Sequence, residues 1–242
     1  MLQQSLLSSQ FDAQTVSKRH FVILFQGPYG NLTANEDRKP LEITVAITGA
    51  SGAIYPCRLL KHLSAEPLVS RIQLVASNAG LRVLHEELNR GKFSLKDLAA
   101  NLTDGNDKKI KVLNNNDIGA SIASGSYPVD AMVIIPCSMG TLGSIAHGIS
   151  RDLIQRAADV TLKERRKLLL VTRDTPFNLI HLENMKLLTL AGGVIFPAVP
   201  SFYHRPVSLE DVVDQFLYRV MQHLGLNPGN AYRWEGSGDR PE

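Results

Sequence analysis

The residues that most directly indicate chemistry lie in the stretch from Arg156 to Pro176. Its first part has the pattern of a helix, on which Arg156 and Lys163 are seven residues apart and share one face. An apolar strand follows and ends at Arg173 and Asp174, so a cation and a carboxylate stand together at its C-terminal end. Ligands of parallel α/β sheets bind outside the carboxyl ends of the strands, and this stretch therefore predicts a ligand site.

Two turns of small and hydroxyl-bearing residues follow two further predicted strands. The apolar run 43–48 leads directly into Gly49-Ala50-Ser51-Gly52-Ala53 and then into a helical pattern. The apolar run 131–136 leads in the same way into Cys137-Ser138-Met139-Gly140-Thr141. A strand, a glycine turn and a helix N-terminus direct free backbone N–H groups at a phosphate. Either turn alone is also compatible with an ordinary βα connection, but together they predict the two sides of a cradle for a phosphorylated cofactor.

The order of apolar runs and helical patterns predicts an α/β protein with a doubly wound parallel sheet of six strands. The strands are expected at residues 43–48, 71–77, 110–113, 131–136, 167–172 and 194–196. Helices are expected at residues 54–63, 79–88, 141–148 and 152–164, after Asn178 as far as Ala191, and from Ser208 to near Gly225. Residues 92–109 are mostly polar and are expected to form a surface connection.

The chain divides into three regions by composition. Its 242 residues, 44% of them hydrophobic, are enough for one α/β domain with a full core, expected over residues 41–233. Residues 1–40 begin rich in Ser and Gln and end polar, which predicts a disordered or loosely docked extension. A cleaved organellar transit peptide is the alternative interpretation of this extension. Residues 234–242 are expected to form a C-terminal tail.

Composition and spacing also limit the ligands and the location of the protein. A net charge of +3 and a pI near 8.9, without a dense basic face, disfavour nucleic acid and fit an anionic small molecule. No apolar run approaches the roughly 20 residues of a membrane span. Cys57 and Cys137 match no metal spacing, so a reduced, cytoplasmic protein without a metal is expected. NAD is disfavoured because Gly49 and Gly52 lack the third glycine of the G-x-G-x-x-G pattern.

Three further side chains are candidates, and two of them have an ordinary structural alternative. Tyr203 lies in the proline-rich loop 197–206, which holds its aromatic residues between prolines. Arg219 lies in line with apolar residues of the last predicted helix, where a cation either extends to solvent or reaches a buried anion. Glu87 belongs to an acidic pair on a predicted helix, and such pairs usually form a solvated surface.

Five longer motifs occur in a fixed order between residues 48 and 206. They are TGASGA at 48–53, PCSMGTLGSIAHG at 136–148, RAADVTLKERRKLLLVTRDTP at 156–176, IHLENM at 180–185 and PAVPSFYHRP at 197–206. Together they resemble the flavin prenyltransferases of the UbiX type, the UbiX/PAD1 family. The resemblance covers residues 43–233, most of the chain, and the motifs are specific in combination because they are long.

The resemblance implies a Rossmann-like flavoprotein fold and a homo-oligomer, usually a dodecamer. It implies an enzyme that joins the dimethylallyl group of dimethylallyl phosphate to N5 and C6 of reduced FMN, without a metal. The prenylated FMN that results is the cofactor of UbiD-type decarboxylases. The activity would then serve ubiquinone biosynthesis or the breakdown of aromatic acids.

The resemblance also implies roles for residues at matching motif positions. The FMN site is implied at Gly49, Ala50, Ser51, Ser77, Ser138, Met139, Gly140, Thr141 and Arg173. The substrate phosphate is implied to bind Arg156, Lys163, Tyr203 and Arg219. Catalytic roles are implied for Ser51 beside the flavin N5, for Glu87 in proton removal across subunits, and for Asp174 as proton donor to the leaving phosphate. Asp174 stands where the family usually has glutamate, so its carboxylate reaches one methylene less far.

Two other functions are alternatives on the same fold. An FMN-dependent cysteine decarboxylase needs a catalytic histidine and a substrate clamp of the PASANT type, but the sequence has no such motif, and PAVPSFYHRP stands near its place. A non-catalytic flavin-binding subunit would keep the two turns and lose the cationic residues. The presence of Lys163, Tyr203 and Arg219 argues against this second alternative. The sequence leaves open whether a monophosphate or a diphosphate is the donor.

Overall fold

The structure is a computed structural model, and it describes residues 39–88, 91, 93–103 and 107–234. The predicted N-terminal extension, residues 1–40, lies outside the described residues apart from Lys39 and Pro40. Of the predicted C-terminal tail, Trp234 alone lies among them. The described part of the chain is therefore the predicted domain at 41–233 with three flanking residues.

Six strands form one parallel sheet, as the sequence predicts. Each is a run of mostly β-branched or aliphatic residues, and the central strands β1 and β4 are buried on both faces over most of their length. The order across the sheet is β3-β2-β1-β4-β5-β6, the order of the dinucleotide-binding fold. The strands are β1 Leu41–Ile47, β2 Val69–Ala76, β3 Ile110–Asn114, β4 Ala131–Cys137, β5 Lys167–Thr172 and β6 Val194–Ile195.

Seven α-helices lie in the described part of the chain, and six of them were predicted within a few residues of their observed bounds. Several begin at a side-chain cap, among them Ser138, Asp152, Asn178 and Ser208. The helices are α1 Ile54–Ala65, α2 Asn78–Leu88, α3 Leu95–Leu102, α4 Met139–Ala146, α5 Leu153–Lys163, α6 Leu179–Leu190 and α7 Leu209–His223. No helix among the described residues is both long and apolar enough to cross a membrane.

Helix α3 corrects the prediction that residues 92–109 form a surface connection. Ser94 and Asp97 make a reciprocal capping box at its start, and the buried side chains of Leu95 and Leu98 pack on the sheet. Polar residues outnumber apolar ones in the segment 92–109, so its composition indicated a surface connection instead of a helix. The S-x-x-D spacing before two leucines is the local pattern that identifies the helix.

The sheet is covered on both faces, as expected for a doubly wound fold. Alternate side chains of β1 separate the two layers: Ile43, Val45 and Ile47 belong to one core and Ala46 to the other. The first core contains the buried side chains of α1, α2, α3 and α7, and the second those of α4, α5 and α6. The strands β1 and β4 are neighbours at the centre of the sheet. From β1 the chain continues outward to β2, and from β4 it continues in the other direction to β5, so a crevice opens outside the carboxyl ends of β1 and β4.

An ion cluster fixes α7 on α1. The guanidinium of Arg58 makes two hydrogen bonds to Asp214, and Nε2 of His62 lies 2.9 Å from the same carboxylate. Partial burial raises the pKa of Asp214, but the hydrogen bonds of Arg58 and His62 outweigh this effect, so the pKa lies below its ordinary value. This contact sets the position of α7, which carries Arg219 farther along its length.

Candidate active site

Thr48 joins the carboxyl ends of β1 and β4. Its hydroxyl donates to the carbonyl of Pro136 at 2.8 Å and accepts from the backbone N–H of Ser138 at 2.8 Å. The Thr48 residue is 1% exposed, so both hydrogen bonds are shielded from water. The turn after β1 and the turn after β4 are therefore held side by side, which is the arrangement that a shared cradle requires.

We expect Thr48→Val to lower the free energy of unfolding by about 2 kcal/mol, because it leaves the buried N–H of Ser138 without its acceptor. Urea denaturation measures the change. Thr172→Val is the matched control: the buried Thr172 hydroxyl has no hydrogen-bond partner among the described residues, so its removal should be neutral or slightly stabilising. Equal losses in both variants would show that the Thr48 hydrogen bonds contribute nothing specific.

The turn after β1 lies in close contact with the start of α2. A Cβ at Gly49 would lie 2.5 Å from the Cβ of Ala79, and one at Gly80 would lie 2.6 Å from the carbonyl oxygen of Ile47. Both glycines are thus required by this close approach. Ser77 begins α2, and its hydroxyl accepts from the N–H of Gly80 at 3.0 Å.

The turn after β4 forms the start of α4. The Ser138 hydroxyl accepts from the N–H of Thr141 at 3.3 Å and lies 3.0 Å from its hydroxyl, which makes Ser138 the N-cap. Gly140 is exposed, and a Cβ there would meet no atom within 4 Å. Open space therefore adjoins the first turn of this helix.

Arg173 connects the end of β5 with the turn after β1. Its Nε donates to the carbonyl of Ser51 at 3.1 Å, and its backbone N–H donates to the carbonyl of Cys137 at 3.4 Å. The next residue, Asp174, is exposed, and its carboxylate accepts from the N–H of Thr175 at 2.9 Å. The predicted Arg-Asp pair thus lies at the carboxyl edge of the sheet beside both turns.

Glu87 binds the N-terminal end of α1 within its own chain. Its carboxylate accepts from the N–H of Gly52 at 3.0 and 3.1 Å and from that of Ala53 at 2.7 Å. Partial burial raises the pKa of Glu87, but hydrogen bonds from the Ser51 side chain and from these two N–H groups outweigh it, so the pKa lies below its ordinary value. The charge of Arg173 acts in the same direction.

Glu87 is therefore an ionised carboxylate held at a helix N-terminus, where anions are favoured. The alternative that the acidic pair is a solvated surface holds for Glu86, which pairs with Arg82 at 2.8 Å on the exposed side of α2. Glu87 is exposed as well, but its carboxylate also accepts hydrogen bonds from the backbone at the start of α1. The role of Glu87 across subunits stays a prediction.

These residues suit the phosphate and polar edge of a flavin. Helices α1, α2 and α4 all begin at the carboxyl ends of β1, β2 and β4, so three sets of N-terminal N–H groups face one edge of the sheet. The open space at Gly140, beside the hydroxyls of Ser138 and Thr141, fits a bound polar group of the flavin. All nine residues of the predicted FMN site lie at these three turns or at Arg173; contact with FMN itself stays a prediction.

Tyr203 and Arg219 line a cavity of about 660 Å³ along the edge of the sheet at β6. Its walls are mainly apolar and aromatic, and the ring of Tyr203 packs edge-on against Trp234 at 5.6 Å. No residue of the predicted FMN site lines it, among the residues that the structure describes. The full lining is Val194, Ile195, Phe196, Pro197, Val199, Ser201, Tyr203, Gln215, Phe216, Arg219, His223, Ala231, Tyr232 and Trp234.

Arg156 and Lys163 do not join this cavity in the single chain. Both point from α5 towards the segment 121–127, which confirms that they share a face. Arg156 donates to the carbonyl of Ala123 at 3.3 Å and pairs with Asp159 at 2.8 Å. Lys163 pairs with Glu164 next to it. Lys163 precedes β5 and Arg173 follows it, so the length of the strand, roughly 20 Å, separates them.

Sequence reasoning missed His223 as a member of the cavity. It lies one helical turn beyond Arg219 on α7, and its ring packs edge-on against Phe196 at 5.2 Å. The i, i+4 spacing from a candidate cation was the available signal. Among the described residues, no group of three or more His, Cys, Asp or Glu side chains could hold a metal ion.

The strand order and the helix N-termini at its switch point define an α/β protein of the flavoprotein class, and the Flavoprotein family model matches residues 31–216. The mitochondrial flavin prenyltransferase PAD1 of Saccharomyces cerevisiae is 44% identical over 198 residues, 82% of this chain and 77% of that protein. The chain belongs to the flavoprotein family and, within it, to the flavin prenyltransferases of the UbiX/PAD1 type.

Two solved structures are similar to this fold over nearly their whole length. A crystal structure of AnUbiX (PadA1) in complex with FMN and dimethylallyl pyrophosphate is 40% identical, with a TM-score of 0.72, over 82% of this chain and 99% of that one. A dodecameric FMN-dependent Ubix-like decarboxylase from Escherichia coli O157:H7 is 40% identical, with a TM-score of 0.72, over 81% of this chain and 100% of that one.

The fold is also shared with more distant proteins of the cysteine decarboxylase kind. The FMN-dependent cysteine decarboxylase TvaF is 15% identical, with a TM-score of 0.52, over 77% of this chain and 99% of that one. At this identity the likeness concerns the fold alone. The relation to the prenyltransferases is therefore the one that carries functional weight.

Proposed function

We propose that this protein joins the dimethylallyl group of dimethylallyl phosphate to N5 and C6 of reduced FMN. The observation that carries the proposal is the cavity at β6, where apolar and aromatic walls surround Tyr203 and Arg219. An allylic phosphate has an apolar tail and an anionic head, and such a cavity suits both. Family membership supplies the prenyl transfer, and the helix N-termini at the carboxyl edge supply a place for the flavin phosphate.

We assign the binding of FMN to the turns after β1, β2 and β4. The N–H groups of the turns and the hydroxyls of Ser51, Ser77, Ser138 and Thr141 hold its polar groups, and Arg173 adds a positive charge at the same edge. Ser51 contacts Glu87 through its side chain and Arg173 through its carbonyl. Reduced FMN supplies the electron-rich N5 and C6 that accept the dimethylallyl group.

The departing phosphate needs stabilisation by the protein, because we propose no metal for this reaction. The guanidinium of Arg219 and the phenol of Tyr203, both exposed in the single chain, donate hydrogen bonds to its oxygens. A neighbouring copy that covers the cavity would strengthen these bonds and protect the allylic fragment from capture by water. Asp174, at the carboxyl edge, delivers a proton to the phosphate, and the ionised Glu87 accepts one when the new ring closes.

We infer that Lys163 and Arg156 act on the site of a neighbouring copy. In their own chain, the length of β5 separates Lys163 from the flavin turns, which are the turns after β1, β2 and β4. Arg156 already forms an ion pair with Asp159 and a hydrogen bond to the carbonyl of Ala123. A second copy that presents its α5 beside the β6 cavity would bring both cations to the phosphate. The proposed cross-subunit role of Glu87 needs the same assembly.

The outer face of α6 supports assembly into a homo-oligomer, for which we propose a dodecamer. Leu179 and Leu190 are 72% and 77% exposed, and Ile180 and Leu182 are 69% and 50% exposed. A contiguous apolar surface of this kind on a helix marks a protein interface. A second copy of this chain is the occupant that the family relation favours.

We expect Leu190→Glu to lower the assembly state, since a charge in an apolar interface loses its hydration without gaining a partner. Size-exclusion chromatography with light scattering measures the mass, and a shift to trimers or smaller species is the expected result. Ile118→Glu is the matched control, because Ile118 is also exposed (59%) but lies in the loop between β3 and β4. An unchanged mass for Leu190→Glu would remove α6 from the interface.

Prenylated FMN is then the product, and we propose that a UbiD-type decarboxylase receives it. We propose the cytoplasm as the site of the reaction, and the mitochondrial PAD1 relative makes an organelle the alternative. Location of a full-length fluorescent fusion decides between the two.

The decisive experiment is anaerobic incubation of the purified protein with reduced FMN and dimethylallyl phosphate, followed by mass analysis of the flavin. The expected product is FMN enlarged by one dimethylallyl unit, formed without added metal and in the presence of a chelator. Dimethylallyl diphosphate in a parallel reaction identifies the donor. Unchanged FMN with both donors would contradict the proposal, and oxidative decarboxylation of a C-terminal cysteine peptide would support the decarboxylase alternative.

A further inference from the structure

We propose that His223 is a second phosphate-binding group of the substrate cavity, and that it takes up a proton when a phosphate dianion binds. This inference rests on the proposed function, because the phosphate is that of the allylic substrate. His223 would act with Arg219 to position the phosphate. It would carry a positive charge only while the phosphate is bound.

The geometry of α7 places the two side chains on one face. Arg219 and His223 are four residues apart in a continuous helix, so they lie one above the other, and both line the same cavity. The His223 ring is half-buried and is held by edge-on contact with Phe196 at 5.2 Å, with an interplanar angle of 81°. The ring is therefore oriented by its packing, and His223 lines the cavity that we propose for the phosphate.

The charged groups that act on His223 among the described residues are both positive. Arg219 lies on the same helix, Lys167 begins β5, and the phenols of Tyr203 and Tyr232 face the cavity from the two flanking segments. No Asp or Glu is among the described residues that line the cavity. Burial lowers the pKa of His223 below its ordinary value, and the charges of Arg219 and Lys167 lower it further.

A phosphate dianion reverses this balance. Two negative charges beside the imidazole favour the imidazolium, which then donates a charge-assisted hydrogen bond. In the free protein His223 is neutral, so the apolar cavity contains one fewer unpaired cation. Binding of the anionic head group and protonation of His223 are thus linked, and each strengthens the other.

The experiment is calorimetric titration of dimethylallyl phosphate into protein loaded with oxidised FMN, at pH 7 in buffers of different ionisation enthalpy. The loaded protein binds the substrate without transferring the prenyl group, and the buffer dependence counts protons taken up. We expect the wild type to take up a measurable fraction of one proton. His223→Gln and His223→Phe should take up none and should bind about tenfold more weakly, because a hydrogen bond to a charged group is lost.

The two variants separate titration from packing. His223→Phe keeps the aromatic contact with Phe196, so agreement between both variants assigns the effect to the imidazole. A phosphate monoester has its second pKa near 6, so at pH 7 it releases only about 0.1 proton when it binds as a dianion. This release has the opposite sign to proton uptake by His223 and cannot be mistaken for it. His147→Gln, at an exposed histidine that follows α4, is the matched control and should behave as the wild type.

The outcomes distinguish this inference from the function on which it rests. Binding by the wild type with equal proton uptake in His223→Gln, or with affinity unchanged in both His223 variants, would overturn the role of His223 alone. Absence of dimethylallyl phosphate binding by the wild type would overturn the proposed function and this inference together. Loss of proton uptake in both His223 variants, with retained FMN and retained weak binding, is the expected result.

Discussion

Arg219→Ala is expected to lower kcat/KM for dimethylallyl phosphate by about 100-fold while FMN stays bound. The guanidinium is the one permanently charged group that lines the β6 cavity among the described residues, and no protein carboxylate there competes for it. Loss of one charge-assisted donor to a developing phosphate dianion corresponds to about 3 kcal/mol of transition-state stabilisation. Initial rates of prenylated FMN formation, followed by mass analysis, measure the loss.

Two further variants make the Arg219 result specific. Arg219→Lys keeps the charge but not the two-pronged donor, so we expect an intermediate loss of about tenfold. Lys61→Ala, at an exposed cation on α1 outside the cavity and the flavin turns, should leave the rate unchanged. A normal rate for Arg219→Ala, with FMN retained, would show that the phosphate binds elsewhere.

Asp174→Asn is expected to lower kcat by about 100-fold or more, with little change in KM. An amide cannot give a proton to the departing phosphate, and positioned acid catalysis contributes 10²–10⁴-fold. The exposed carboxyl of Asp174 lies beside Arg173 at the carboxyl edge of the sheet, where its hydrogen bond from Thr175 orients it. Rates of prenylated FMN formation at saturating substrate measure kcat in the variant and in the wild type.

The length of the Asp174 side chain is a separate test. Asp174→Glu restores the family residue, and we expect a rate equal to or above that of the wild type if the carboxyl acts as a proton donor. Asp117→Asn, which removes an exposed carboxylate in the loop between β3 and β4, is the matched control and should not change kcat. A wild-type rate in Asp174→Asn would exclude this residue as the acid.

Much of the fold follows from local sequence. Runs such as ITVAIT and KLLLVT predict buried parallel strands because only β-branched and aliphatic residues fill a sheet covered on both faces. β5 was predicted at its observed bounds, and the other five strands within a few residues. The missed helix α3 shows the limit of composition, since its capping box at Ser94 was obscured by polar neighbours.

Most members of the predicted flavin site also follow from local sequence, because strand–turn–helix patterns carry their own geometry. Each of the turns at Ser51 and Ser138 precedes a helix N-terminus, and that relation involves only adjacent residues. The motif resemblance added Ser77 and Tyr203, which composition alone does not distinguish. These residues could be assigned before any spatial arrangement was known.

The tertiary structure alone decided which of these segments meet. The order β3-β2-β1-β4-β5-β6 brings Thr48 to Ser138 and Arg173 to Ser51, contacts that span 90 and 122 residues of sequence. It also separated Lys163 from the turns after β1 and β4 and placed His223 in the β6 cavity. Local pattern encodes which face of an element is buried, whereas strand order and side-chain packing depend on contacts between distant segments, which no short stretch of sequence contains.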